Sequence, residues 1–127
     1  MKTKIVETYE ANIYIGSREQ YNGPKFGLQE LRYAIRDKQE ELGIDMANPV
    51  RITEVGYLFQ KYWETGWQIS IINYARSPRQ NEELDTFAIE LGKHLFEKFN
   101  QNRLSVVIPS RTIMFEQDNP ELTHEQK

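Results

Sequence analysis

The stretch Trp67–Tyr74 sets the tightest limit on what this chain can fold into. Trp67, Ile69 and Ile71 point to one face of an extended segment, while Ile72 and Tyr74 point to the other. A strand apolar on both parities is expected to be covered on both faces. Only two other stretches carry helical periodicity. Leu28, Leu31, Ile35 and Leu42 recur near helical spacing, and Gly43 follows where a left-handed cap is wanted. Leu84, Phe87, Ala88, Leu91, Leu95 and Phe99 form a second stripe. Its start is read at Ser77, with Pro78 at the first helical position and Gln80 closing a capping box. Two helices can cover one side of a sheet. The second face is therefore expected to meet another copy of the chain.

The remaining segments supply that sheet. Lys4–Ile15 alternates Ala11, Ile13 and Ile15 against Asn12 and Tyr14, and a turn-rich loop, 16–27, follows. Val50–Phe59 and Trp67–Tyr74 read as strands joined by a hairpin turn at Glu64-Thr65-Gly66. Leu104–Ile108 and Thr112–Glu116 read as a last hairpin turning through Pro109, Ser110 and Arg111. The order β-α-β-β-α-β-β predicts an α+β two-layer sandwich, a mixed or antiparallel sheet with two helices on one face. Residues 1–116 are expected to form one domain and 117–127 a polar tail.

Composition narrows the chemistry. The 127 residues include no cysteine, which excludes disulfides, thiol catalysis and Cys-based zinc sites. No apolar run approaches the roughly 20 residues that span a bilayer, and Met1–Glu10 lacks a signal-peptide core, so a cytoplasmic location without membrane contact is expected. Residues 1–115 carry 15 basic and 15 acidic side chains. A neutral domain argues against duplex nucleic acid, whose phosphates call for a net basic surface, but leaves room for a local cluster that captures one small anion. No Walker, G-x-G-x-x-G or G-x-S-x-G motif occurs. His94 falls near the apolar stripe and reads as a packed helix residue; Glu40/Glu41 and Glu82/Glu83 are helix neighbours that do not face each other. Neither a catalytic set nor a cofactor site is expected.

Polar residues at strand ends remain. Ile72-Asn73-Tyr74-Ala75-Arg76-Ser77-Pro78 runs from a strand into a helix start, a place that suits a phosphate. Asn73 is set to read a ligand by two-way hydrogen bonding and Arg76 by its bidentate fork. Arg111 and Thr112 repeat the theme at the last hairpin, and Arg18 repeats it after the first strand. Tyr21, Phe59, Tyr74 and Trp67 are candidate stacking faces for an aromatic base, of which one or two are expected to serve and the rest to be core. At each of these positions the plain alternative, a solvated or backbone-satisfying side chain, stays open.

The segments Tyr9–Gly16, Ile72-Asn73-Tyr74-x-Arg76-x-Pro78 and Ser105-Val106-Val107-x-Pro109 resemble, in order and spacing, the Thoeris anti-defence sponge proteins of bacteriophages. The resemblance implies a non-enzymatic inhibitor in the infected host cell. Such a protein holds a cyclic ADP-ribose isomer intact, so that the immune effector is never activated. It further implies homo-oligomers built through dimers, cyclic oligonucleotides at separate sites in some members, and ligand contacts from Asn73, Arg76 and Arg111. Two other readings stand beside it. One is a small nucleotide-processing enzyme in which Glu54, His94 or a tyrosine converge. The other is a structural or protein-binding phage module without a small ligand.

Overall fold

The computed structural model describes residues 1–20 and 22–118. Seven elements follow in the expected order: β1 (Glu10–Gly16), α1 (Leu28–Leu42), β2 (Arg51–Phe59), β3 (Tyr62–Ile72), α2 (Asn81–Lys98), β4 (Arg103–Ile108) and β5 (Arg111–Glu116). The strands form one sheet in the order β2-β3-β1-β4-β5, with every neighbouring pair antiparallel. The fold is thus the α+β arrangement expected, with the sheet antiparallel throughout.

Strand alternation decides which face is dry. Ala11, Ile13 and Ile15 of β1, Ile69 and Ile71 of β3, and Leu104 and Val106 of β4 are buried on one face beneath the helices. The helices meet them with the stripe Leu84, Phe87, Ala88, Leu91 and Leu95 of α2 and with Leu31, Ala34 and Ile35 of α1. His94 of α2 donates from Nε2 to the Ala34 carbonyl at 3.0 Å, joining the two helices as a packed residue. Phe26 stacks on Phe99 at 3.9 Å between ring centroids and tilts against Trp67 at 5.2 Å, sealing the core near the end of β1.

Three local expectations need correction. The β2–β3 turn sits at Gln60 and Lys61, not at Glu64–Gly66, because Gln60 takes a positive φ of 56° and β3 begins at Tyr62. Glu64 is therefore a strand residue opposite Tyr57. Helix α2 starts after Gln80, not Ser77: the Glu83 carboxylate accepts the Gln80 N–H at 2.9 Å, while Ser77 closes a turn on the Tyr74 carbonyl. Finally, β3 is not apolar on both parities. Its second face carries Glu64, Gly66, Gln68 and Ser70, and Asn12 Oδ1 accepts from Gln68 Nε2 at 2.9 Å and from Ser70 Oγ at 2.8 Å. Only Ile72, 41% exposed, is a large apolar residue at that strand's end.

The segment between β3 and α2 is held by side chains. Asn73 donates to the Glu7 carbonyl at 2.9 Å and accepts the Arg79 N–H at 3.0 Å. The Arg79 guanidinium donates to the carbonyls of Ile44, Asp45 and Ala47, in the connection after α1. Gly43 turns that connection with a φ of 79°, a conformation that disfavours any side chain. Among the described residues no helix is long and apolar enough to cross a membrane.

Candidate functional site

The open face of the sheet carries a cleft at the end of β1, with a cavity volume of about 160 Å³. Its strand residues are Tyr14 and Gly16 of β1, Tyr57 of β2, Glu64 of β3, and Arg103 and Ser105 of β4. Gln20, Gln101 and Asn102 close one side. Cross-strand register assembles it, since Tyr57 lies opposite Glu64, Gly16 opposite Gly66, and Tyr14 opposite Ser105. Residues paired in this way share one face of an antiparallel sheet.

Two glycines make the cleft possible. A Cβ at Gly16 would stand 2.3 Å from Glu64 Oε1, and one at Gly66 would stand 2.7 Å from Tyr57 Cε2 and 2.3 Å from the Ile15 carbonyl oxygen. Their bare backbones let the Glu64 carboxylate and the Tyr57 ring lie close over the sheet. The Tyr57 hydroxyl then donates to the Trp67 carbonyl at 3.0 Å, which fixes the ring. Burial, followed by the negative charge of Glu64 and the neighbouring Tyr14, pushes the Tyr57 phenol up to about 12. It stays protonated, a donor to the backbone.

Gln101 braces the rim. It is 4% exposed, accepts the Gly16 N–H through Oε1 at 3.3 Å and donates through Nε2 to the Arg18 carbonyl at 2.7 Å. Arg103 brings a positive charge, but its Nε sits 2.5 Å from Glu116 Oε2. Chemically, the cleft offers aromatic faces, a carboxylate, amides and a hydroxyl.

The residues expected from sequence lie elsewhere. Asn73 is 9% exposed and holds the Glu7 and Arg79 backbone. Arg76 is exposed in the β3–α2 segment, and Arg111 and Thr112 are exposed at the start of β5. These four stand near the Glu10 end of the sheet, where Ile72 and Val107 pair with β1. Arg18 follows Gly16 at the opposite end, donating to the Gly23 carbonyl, and Phe59 is 60% exposed at the tip of the β2–β3 hairpin. At about 3.3 Å per residue, the seven-residue β1 separates these two groups by roughly 20 Å. Tyr21 lies outside the described residues. None of the six described residues lines the cleft. Of the cleft residues, Glu64 was read as part of the turn and Tyr57 only as a member of the second strand, so neither was singled out. The hairpin spacing of Tyr57 and Glu64, with glycines at 16 and 66, was the available signal.

The chain is a two-layer α+β fold with a polar cleft on the sheet face that the helices leave uncovered. In fold it is similar to a phage SAM lyase solved in complex with S-methyl-5'-thioadenosine. The TM-score is 0.70 at 18% identity, covering 95% of this chain and 98% of that one. It is also similar to a phage SAM lyase in the apo state, with a TM-score of 0.62 at 20% identity, covering 89% of this chain and 92% of that one. No family model and no curated protein matches. Identities this low establish a shared fold, and neither structure is a Thoeris sponge. The expectation that the chain is not an enzyme is corrected by these likenesses, because both structures are of a lyase.

Proposed function

We propose that this chain is a phage-type enzyme that cleaves S-adenosylmethionine, with the cleft of Tyr14, Tyr57, Glu64 and Gln101 as its site. The observation that carries the reading is the Glu64 carboxylate beside the fixed Tyr57 ring, on a fold shared with a SAM lyase over nearly its whole length. Leaving S-methyl-5'-thioadenosine requires breaking the bond from the sulfonium sulfur to the γ carbon of the amino-acid arm. The sulfur keeps the electron pair and becomes a neutral thioether. In a lyase no water is added. The γ carbon is satisfied by the substrate's own carboxylate, whose oxygen forms the new bond and closes a ring as the carbon–sulfur bond breaks. Ring closure cancels opposite charges, so a site withdrawn from bulk water favours it. Glu64 and the tyrosine faces seat the positively charged part of the substrate in this account.

A coarser reading supports the same proposal: a phage protein that acts against host defence, in the host cytoplasm, by engaging a small nucleotide-like ligand. Sequestration of a cyclic ADP-ribose isomer is its finer variant and would draw on Arg76 and Arg111 at the other end of the sheet. Self-association belongs to the proposal on narrower ground than the β3 pattern gave. Leu58 and Trp63, 68% and 66% exposed, pair at the β2–β3 hairpin on the same side of the sheet as the helices, and Phe59, 60% exposed, points to the other side.

The test is incubation of purified protein with S-adenosylmethionine and mass spectrometry of the small molecules. Stoichiometric excess of S-methyl-5'-thioadenosine over protein supports the proposal. Quantitative recovery of unaltered S-adenosylmethionine overturns it.

A further inference from the structure

Beside the cleft, the open face of the sheet carries a pair of side-chain amides. Asn12 and Tyr14 of β1 share that face with Gln68 and Ser70 of β3, because Asn12 lies opposite Ser70 and Tyr14 opposite Gln68. Asn12 Oδ1 accepts twice, from Gln68 Nε2 at 2.9 Å and from Ser70 Oγ at 2.8 Å. The Ser70 hydroxyl belongs to a residue 2% exposed and spends its proton on Asn12. Two converging donors fix which end of the Asn12 amide is the oxygen, since Nδ2 turned into that place would face both of them. Among the described residues, Asn12 Nδ2 is then left as an unspent donor and Gln68 Oε1 as an unspent acceptor. Both residues are half-buried, on the face away from the helices. The pair adjoins the cleft: Tyr14 lines it, and Asn12 is two residues, about 7 Å, further along β1.

We infer that Asn12 and Gln68 read the edge of an adenine base, Asn12 Nδ2 donating to a ring nitrogen and Gln68 Oε1 accepting from the exocyclic amine. The inference rests on the functional proposal above and extends its site along β1 to the base of the substrate. With the sulfur end of the nucleoside in the cleft and its base against Tyr14, the base edge falls on the amide pair. Adenine presents an acceptor and a donor side by side, the complement of one amide donor and one amide acceptor. A 6-oxo purine carries an oxygen where the amine stood, so Gln68 Oε1 meets a second acceptor and neither is satisfied. The face therefore selects adenosyl ligands over their 6-oxo counterparts. The pair is uncharged and acts on the base, independently of the chemistry at sulfur.

A pair of probes isolates the base edge. S-Methyl-5'-thioadenosine and S-methyl-5'-thioinosine share the ribose and the thioether and differ only where the amine is replaced by oxygen. Calorimetry on the wild-type protein should find the adenine probe bound about tenfold more tightly, toward the low end for a paired hydrogen-bond contact to a base. Gln68→Met keeps the length of the side chain and removes its amide. It should bring the ratio close to one while leaving affinity for the 6-oxo probe within about twofold. In NMR spectra of the wild-type protein, the Asn12 side-chain amide resonances should shift when the adenine probe is added. Equal affinity for the two probes overturns the inference, as does a preference that survives Gln68→Met. If that variant fails to fold, Asn12 amide resonances that do not respond to the adenine probe overturn it instead. A protein that cleaves S-adenosylmethionine yet binds both probes alike overturns the inference and leaves the functional proposal standing. One that leaves S-adenosylmethionine intact yet prefers the adenine probe through Gln68 does the reverse.

Discussion

At the scale of single residues, Tyr57 joins stability to the site. Its hydroxyl donates to the Trp67 carbonyl, and its proton is held up to about 12 in the folded state against 10 as a free side chain. The folded protein keeps this proton where the unfolded chain has already lost it. The stabilisation is therefore complete below pH 10 and is lost as pH climbs toward about 12. Tyr9, buried and donating to Asp85 Oδ1 at 2.7 Å, is pushed in the same direction. Denaturant unfolding across this range should show falling stability in the wild-type protein and a shallower slope in Tyr57→Phe. An identical slope in the variant would show that Tyr57 does not titrate with folding. Residues of this kind were hard to read from sequence. Tyr57 acquires its role from Gly66 beneath it and Glu64 beside it, and neither relation exists until the register is set. Asn73 and Arg76 were conspicuous by their types, yet Asn73 spends its amide on the backbone of Glu7 and Arg79.

At the scale of elements, local signals and long-range ones behaved differently. The stripe of α2 was legible because burial follows helical spacing directly, and α1 spans Leu28–Leu42 as read. The start of α2 and the β2–β3 turn were not. Ser77 and Pro78 carry a helix-start signature, but Arg79 binds the carbonyls of Ile44, Asp45 and Ala47, and Asn73 captures the Arg79 N–H; together they hold 74–79 in a turn. Glu64-Thr65-Gly66 resembles a turn in composition, whereas cross-strand pairing carries the hairpin on to Phe59 opposite Tyr62. Arg79→Ala should cost about 1–2 kcal/mol, toward the low end for charged donors because Ile44 and Asp45 are exposed. Hydrogen exchange should quicken at the Met46 and Ala47 amides, which now bond to the Gly43 carbonyl. Unchanged exchange there would show that the guanidinium does not hold this connection.

At the scale of the whole molecule, the antiparallel sheet separates two jobs. One face is sealed by the helices; the other carries the Asn12–Gln68–Ser70 hydrogen bonds and the cleft. Sequence reading reached the architecture because element order and helix stripes are local properties. It missed the cleft, which is made by four strands that meet only in the folded sheet. Analytical ultracentrifugation at micromolar concentration should show no dominant 15.1 kDa species, given the exposed Leu58, Phe59 and Trp63. A clean monomer would remove self-association from the account. The central claim concerns where the chemistry happens, and release of S-methyl-5'-thioadenosine from S-adenosylmethionine tests it most directly in variants from the two ends of the sheet. Glu64→Gln should lower kcat/KM by about 10- to 100-fold, a loss of roughly 1.4–2.7 kcal/mol of transition-state binding. Arg76→Ala, with its side chain exposed at the far end, should match the wild-type protein. Full activity in Glu64→Gln together with its loss in Arg76→Ala would contradict the account and move the site to the other end of the sheet.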